Sequence, residues 1–274
     1  MSEITRRQTL ALMAGAVAGT ATPLVAMESH RFGIDYLEEL GRPGALRDGM
    51  AFLAPSQIDP AYSHVIYVNA ALSGGGAQKM WVIERARRGW QLATWDAEYW
   101  AEQGLTKGRP PFSWPVSTGR KYPGDARSGP TPLGIFNVDE RRHRHRPGWG
   151  SEGMYNSIYI DLHYSSGRAS GVAIHGTTNS KYRLLGRADS HGCVRMTKQN
   201  SARVWQIFHE GKKVAGQSSP IWGQVPRYFT SEPRTDWTAR WGYRRDGVPR
   251  LSKASETLTK DGYTALFVFF RDDV

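Results

Sequence analysis

The sequence has a single cysteine, Cys193, among its 274 residues. A fold held together by disulfides within the chain is therefore excluded. An isolated cysteine is usually a small, inert core residue. The alternative is a thiol kept for its reactivity, and the residues around Cys193 decide between the two.

Long apolar runs are also scarce. One uncharged stretch, residues 9–26, is rich in Ala, Leu, Val and Gly, and no second stretch of about twenty such residues follows it. Arg6 and Arg7 precede this stretch, which is typical of a twin-arginine export signal over residues 1–26. A plain secretory peptide is the alternative. We expect a protein of the periplasm or cell envelope.

The processing site of this signal is poorly defined. Leu24 is large at a position where an Ala-x-Ala cleavage site needs a small side chain, so an uncleaved signal anchor is a further alternative. We expect no other membrane-spanning segment.

Acidic residues are too few to balance the basic ones. The chain has 25 Asp and Glu against 36 Lys and Arg, a formal net charge of +11. The excess persists when residues 1–26 are left out, because they hold only two arginines and one glutamate. A basic surface favours polyanions such as nucleic acid, anionic lipid or a carboxylate-rich cell wall. Export argues against nucleic acid.

Short runs of β-branched and aromatic residues recur between turn residues. They predict a mostly β domain, a sandwich or barrel, with strands in 65–68, 80–83, 90–95, 134–138, 157–162 and 172–174. One helix is predicted after the N-cap Thr197, with Val204, Trp205 and Phe208 on one face and Gly211 at its end. A strand over 213–215 is predicted to close the domain.

Two segments flank this domain. Residues 27–61 form a predicted lead-in with a short helix over Ile34–Leu40. Beyond Gly216 aromatic residues mix with Pro, Arg and Gly, and Phe267–Phe270 predicts a final strand. We interpret residues 216–274 as a C-terminal extension packed on the domain, with a separate wall-binding module as the alternative.

The neighbours of Cys193 indicate chemistry. A cysteine nucleophile needs a base to take its proton, and fixed N–H donors for the negative oxygen of the tetrahedral intermediate. Gly192 permits a tight turn that points backbone N–H groups at that oxygen. Cys193 is thus a predicted nucleophile for acyl transfer, with a thiol pKa below that of a free cysteine.

Two histidines are candidate bases. His191 adjoins Cys193, and neighbours in an extended segment point to opposite faces. His175 lies at the end of the predicted strand that contains 172–174, at an edge between strand and loop where functional sites are often found. His175 is therefore the better base.

His175, fourteen intervening residues and then Ser190-His191-Gly192-Cys193-Val194-Arg195 resemble the signature of the L,D-transpeptidases with a YkuD-type catalytic domain. Residues 116–119 agree with this family, and 131–136 are similar to its Thr-Pro-x-Gly-x-Phe segment. The resemblance covers roughly residues 62–215. It implies a β-sandwich catalytic domain with one or two helices.

The resemblance also implies roles for the residues of the signature. Cys193 would be the nucleophile and His175 the general base and later acid, with the Gly176 carbonyl orienting the imidazole. The N–H groups of Gly192 and Cys193, with His191 nearby, would form the oxyanion site. Among substrate-binding candidates, Ser190 would brace the loop, and Arg195 would brace it or meet a substrate carboxylate.

The implied substrate is a peptidoglycan stem. Cysteine would attack the carbonyl of the diamino acid in a tetrapeptide and release D-alanine, and an amine would collect the acyl group. That amine could belong to another stem, a free D-amino acid or an envelope protein; water would give hydrolysis. The alternatives are a cysteine carboxypeptidase or amidase on the same peptides, and a non-catalytic wall-binding protein.

The basic insert at 139–154 has two interpretations: a lid that recognises stem carboxylates, or a solvated loop. It contains His143-x-His145, but arginines flank the pair and no Cys or carboxylate cluster stands beside it. We expect no metal and no cofactor.

Overall fold

The structure is a computed structural model that describes residues 33–93, 113–140, 153–164, 168–210, 219–228, 231–232 and 249–272. Most regular structure in these ranges is strand, which confirms the mostly β fold class. The helices there are α1 (Ile34–Leu40), α2 (Lys198–His209) and the 3-10 turns Pro55–Gln57 and Asn179–Leu184. The strands are β1 (His64–Asn69), β2 (Lys79–Ala86), β3 (Gly89–Leu92), β4 (Trp114–Pro115), β5 (Gly134–Asn137), β6 (Tyr155–Tyr159), β7 (His163–Tyr164), β8 (Ala173–Gly176), β9 (Val194–Met196), β10 (Trp222–Pro226), β11 (Ser231–Glu232), β12 (Thr259–Tyr263) and β13 (Ala265–Phe270).

The main sheet has the order β3-β2-β1-β13-β5, with β4 beside β2. Only one of its pairings is parallel: β1 runs alongside β13, with Tyr67 opposite Val268. On its other side β13 pairs antiparallel with β5, and Phe267 faces Phe136. Thus β13, from the predicted C-terminal extension, lies between two strands of the predicted catalytic domain, and the two segments share one sheet.

Both faces of this sheet are covered. Because successive side chains of a strand point to opposite faces, β13 contributes to two cores. Phe267 and Phe269 pack in one core with residues of the second sheet and of α2. Val268 and Phe270 pack in the other core with Leu37 of α1.

The second sheet has the order β6-β8-β9. β8 pairs antiparallel with β6 and parallel with β9. Its residues Ile158, Ile174 and Val194 pack in the core that also holds Phe267 and Phe269. The two packed sheets confirm the sandwich that the resemblance implies.

Helix α2 begins as predicted. The Thr197 side chain accepts a hydrogen bond from the Asn200 N–H, 3.1 Å away, which satisfies one of the donors at the helix start. Val204 and Phe208 are buried on one face, and Trp205 packs against the same core. The helix ends at His209.

Several predicted features lie outside the described residues. They are the export signal at 1–26, Gly211 with the strand at 213–215, and residues 141–152 of the basic insert. Within the described ranges, each helix is too short or too polar to cross a membrane.

A buried ion network ties β5 to the chain that follows β10. Arg227 is only 8 % exposed, and its guanidinium lies 2.5 Å from Glu140 and 2.6 Å from Asp161. Burial raises the pKa of Asp161, and the charges of Arg227 and His163 oppose that rise. The ionised form of Asp161 therefore depends on the guanidinium of Arg227 beside it.

We predict that Arg227→Met lowers the free energy of unfolding by about 3 kcal/mol, because it removes the cation from the buried carboxylate of Asp161 and the half-buried carboxylate of Glu140. The matched control is Lys260→Met: Lys260 is 64 % exposed and lies 3.5 Å from Glu140, so its loss should cost less than about 1 kcal/mol. Urea unfolding of both variants measures the difference. Equal effects of the two substitutions would contradict the prediction.

Candidate active site

His175 lies on β8 and is buried. Its Nδ1 is 2.8 Å from the carbonyl oxygen of Gly176. A carbonyl can only accept, so Nδ1 carries the proton and Nε2 keeps a free lone pair. The ring is thus held in the tautomer that can take a proton at Nε2.

The surroundings of His175 keep the imidazole neutral. Burial lowers its pKa to about 4; the hydrogen bond to the Gly176 carbonyl opposes this shift, and the charge of Arg195 adds to it. At neutral pH the imidazole is therefore unprotonated. It is ready to act as a base.

Gly176 itself is fixed by its surroundings. A Cβ at this position would lie 2.3 Å from the Ser201 Oγ and 3.2 Å from the Cα of Lys198, both in α2. Only glycine fits between the strand and the helix. The carbonyl that orients His175 is therefore held by close packing against α2.

Strand register places Cys193 next to the strand that carries His175. In the parallel pair, His175 is opposite Arg195 and Ile174 is opposite Val194. Cys193 directly precedes β9, and its thiol accepts a hydrogen bond from the N–H of Ala173, the first residue of β8. The only cysteine therefore lies beside β8, two residues along that strand from the predicted base His175.

The environment of the Cys193 sulfur does not favour the thiolate. Burial raises the thiol pKa, although a hydrogen bond from the Ala173 N–H and the charge of Arg195 act in the opposite direction. The Sγ contacts the carbonyl oxygen of Gly171 at 3.7 Å. Our expectation of a thiol pKa below that of free cysteine is wrong, because desolvation outweighs the nearby donor and charge.

The turn before Cys193 is stabilised by Ser190. The Gly192 N–H donates to the Ser190 Oγ at 3.0 Å, and that hydroxyl donates to the carbonyl of Cys193. Ser190 is buried, so its hydroxyl braces the turn instead of facing a substrate. The Gly192 N–H, predicted to be an oxyanion donor, is engaged by this hydroxyl.

Gly192 adopts a φ of +146°, a conformation that favours glycine. Its carbonyl accepts a hydrogen bond from the Thr131 Oγ1 at 2.8 Å, and Thr131 also accepts one from the Gly119 N–H at 2.8 Å. The two stretches that the resemblance singled out, 116–119 and 131–136, therefore meet at this turn.

The side chain of His191 faces away from the turn. It is 57 % exposed, its Nε2 lies 3.2 Å from the Asp125 Oδ2, and its ring stacks on Tyr122 at 4.7 Å. Tyr122 in turn donates to the carbonyl oxygen of Asp189 at 2.5 Å. His191 thus docks the loop that contains Tyr122 and Asp125 against the turn.

Arg195 is also engaged within the protein. Its Nη1 lies 2.8 Å from the carbonyl oxygen of Asp189 and 3.6 Å from its carboxylate. Arg120 approaches the same carboxylate at 3.2 Å. Asp189 and Tyr122 are not predicted from the sequence, because their roles depend on contacts that exist only in the folded structure. The one signal in the sequence is the position of Asp189 directly before the Ser-His-Gly-Cys segment.

One group of side chains could hold a cation. Ligand atoms of Asp139, Asp161 and His163 all lie within 4.8 Å of one another. The guanidinium of Arg227 contacts Asp161 at 2.6 Å, so a cation would compete with it. The histidines at 143 and 145, where the sequence argues against a metal, lie outside the described residues.

A family model described as the L,D-transpeptidase catalytic domain, YkuD, matches residues 98–215. The match confirms the family resemblance. The matched region begins at residue 98, whereas the resemblance seen in the sequence begins near residue 62. Both end at residue 215. No curated protein matches the chain.

Among solved structures, the chain is similar to an L,D-transpeptidase from Mycobacterium smegmatis, with 16 % identity and a TM-score of 0.30, over 53 % of this chain and 54 % of that one. An L,D-transpeptidase from Mycobacterium tuberculosis H37Rv has 17 % identity and a TM-score of 0.31, over 53 % of each chain. L,D-transpeptidase 3 from M. tuberculosis, in complex with a faropenem-derived adduct, has 15 % identity and a TM-score of 0.30, over 52 % and 54 %. The chain thus spans about half the length of these structures.

Because Arg195 lowers the pKa of both Cys193 and His175, we predict that Arg195→Met raises both. Arg195→Lys, which keeps the charge, should shift them less. The pH dependence of iodoacetamide alkylation measures the thiol, and a histidine-resolved NMR titration measures the imidazole. Unchanged pKa values in a folded Arg195→Met variant would contradict the prediction.

Proposed function

Because residues 98–215 match the L,D-transpeptidase catalytic domain of the YkuD family, we propose that the protein is an acyltransferase that acts on peptidoglycan stem peptides. The observation that carries the proposal is His175, anchored through Nδ1 to the Gly176 carbonyl at 2.8 Å, on the strand whose Ala173 N–H donates to the only cysteine. This arrangement has the parts that nucleophilic acyl transfer needs: a nucleophile, a base and an orienting group.

In the first proposed step, the Cys193 sulfur attacks the carbonyl carbon of the diamino acid at the third position of a tetrapeptide stem. His175 takes the thiol proton at Nε2 as the bond forms. The tetrahedral intermediate then collapses, the bond to D-alanine breaks, and His175 gives its proton to the leaving amine. A thioester on Cys193 remains.

In the second step, an amine attacks the thioester carbonyl and gives a proton to the Nε2 of His175. The carbon–sulfur bond breaks, and the departing sulfur recovers the proton as a thiol. With the side-chain amine of another stem, the product is a cross-link. With a free D-amino acid or an amine of an envelope protein, it is exchange or anchoring.

The protonation states of the free site define the role of His175. Burial raises the pKa of the thiol and lowers that of the imidazole, so both groups are neutral near pH 7. Attack therefore has to be accompanied by proton transfer, rather than starting from a preformed thiolate. General-base catalysis of this kind contributes about 100- to 10,000-fold to a rate.

A second candidate function is hydrolysis of the same thioester by water, which would make the protein a carboxypeptidase. It uses every residue named above, and only the products differ. The net charge of +11 suits either function, since a carboxylate-rich wall attracts a basic protein. Because peptidoglycan lies in the cell envelope, we also propose that the protein is exported there.

We predict that the wild-type protein, incubated with a disaccharide tetrapeptide, yields a cross-linked dimer that has lost one D-alanine. Cys193→Ala should give no product and His175→Gln at least about 100-fold less, with folding retained. Mass spectrometry follows the products, and circular dichroism checks the fold. Tripeptide alone would identify the carboxypeptidase instead, and an intact tetrapeptide with bound protein would identify a non-catalytic wall-binding protein.

The neutral imidazole gives a second prediction. His175 can accept a proton only when unprotonated, and its pKa is lowered to about 4. The rate of thioester formation, measured as kcat/KM, should therefore stay level between about pH 7 and pH 5 and decline only as pH approaches 4. An acidic limb near the ordinary histidine value of about 6.5 would show that burial does not shift this residue.

A further inference from the structure

The Thr131 hydroxyl occupies a buried junction between three segments. It accepts a hydrogen bond from the Gly119 N–H at 2.8 Å and lies 2.8 Å from the carbonyl oxygen of Gly192. A hydroxyl has a single proton, and a carbonyl can only accept. The proton of Thr131 is therefore directed at Gly192, and the direction of both hydrogen bonds is determined.

The Gly192 carbonyl and the Cys193 N–H are the two ends of one planar peptide group. A hydrogen bond to the carbonyl fixes the orientation of this plane and polarises the N–H at its other end. The preceding N–H, that of Gly192, is donated to the Ser190 Oγ at 3.0 Å. Of the two N–H groups at this turn, that of Cys193 is therefore the one that can donate to a developing negative oxygen.

Without such a bond, this peptide group would be poorly held. Gly192 has a φ of +146°, and a glycine can adopt many backbone conformations. Gly119 packs against the same residue so closely that a Cβ on it would lie 2.6 Å from the Gly192 Cα. The contact limits movement of Gly192 from one side, and Thr131 holds its carbonyl.

We propose that Thr131 is a positioning residue that fixes the Cys193 N–H as the oxyanion donor. The proposal rests on the proposed function, in which Cys193 attacks a carbonyl carbon. Thr131 acts through the peptide group and does not touch the substrate. Thr131 lies three residues before β5, which pairs with β13 in the main sheet. This well-packed strand anchors the segment that carries the Thr131 hydroxyl.

The test compares Thr131→Val, which removes the hydroxyl at nearly constant volume, with Thr131→Ser, which keeps it. Loss of one oxyanion donor typically costs about 100- to 1,000-fold. Single-turnover acylation of Cys193 by the tetrapeptide and by faropenem, followed by mass spectrometry, should be about 100-fold slower in the Val variant. The Ser variant should be within about fivefold of wild type.

Alkylation by iodoacetamide is the internal control. This reagent reacts at a saturated carbon, so no oxyanion forms and the donor is not used. We expect alkylation of the Val variant at the wild-type rate. Equal loss of acylation and alkylation would show general distortion of the site and overturn the proposal, as would full acylation by the Val variant.

Two further outcomes separate this proposal from the proposed function. If wild type is acylated by faropenem but not by tetrapeptide, the proposed substrate is wrong, and the faropenem rates still decide the role of Thr131. If wild type is acylated by neither reagent, both proposals are overturned. Should Thr131→Val fail to fold in a thermal unfolding experiment, Thr131→Ala provides the same comparison.

Discussion

The position of β13 between β1 and β5 is the constraint on which the rest of the structure depends. Its six side chains are all buried, and they alternate between the two cores that cover the main sheet. Its pairing with β5 anchors the strand that begins three residues after Thr131. The geometry of the turn before Cys193 therefore rests on a strand more than 70 residues further along the chain.

Burial governs the chemistry of the site as well as its stability. It is the largest cause of both pKa shifts, and it moves the two groups in opposite directions because each is pushed towards its neutral form. Arg195 opposes burial at the thiol and reinforces it at the imidazole. The thiol of Cys193 and the imidazole of His175 are therefore both uncharged near pH 7.

Much of this could be predicted from local sequence. The alternating runs of β1, β2 and β5 and the N-cap Thr197 are evident in the sequence, and the signature that contains Cys193 and His175 indicates the family. The place of β13 could not be predicted, because pairing between distant strands leaves no local pattern. The thiol pKa was predicted with the wrong sign, since neighbours in sequence reveal nearby donors but not desolvation. The contact of Ser190 with the Gly192 N–H likewise exists only once the turn has folded.

The raised pKa of the Cys193 thiol has a consequence beyond acyl transfer. Peroxide attacks thiolates far faster than thiols, so a cysteine that remains protonated is slow to form sulfenic acid. With no second cysteine in the chain, a sulfenic acid here could not be resolved as an internal disulfide. The burial that raises the pKa of Cys193 would thus also slow its oxidation in the oxidising envelope to which the sequence predicts export.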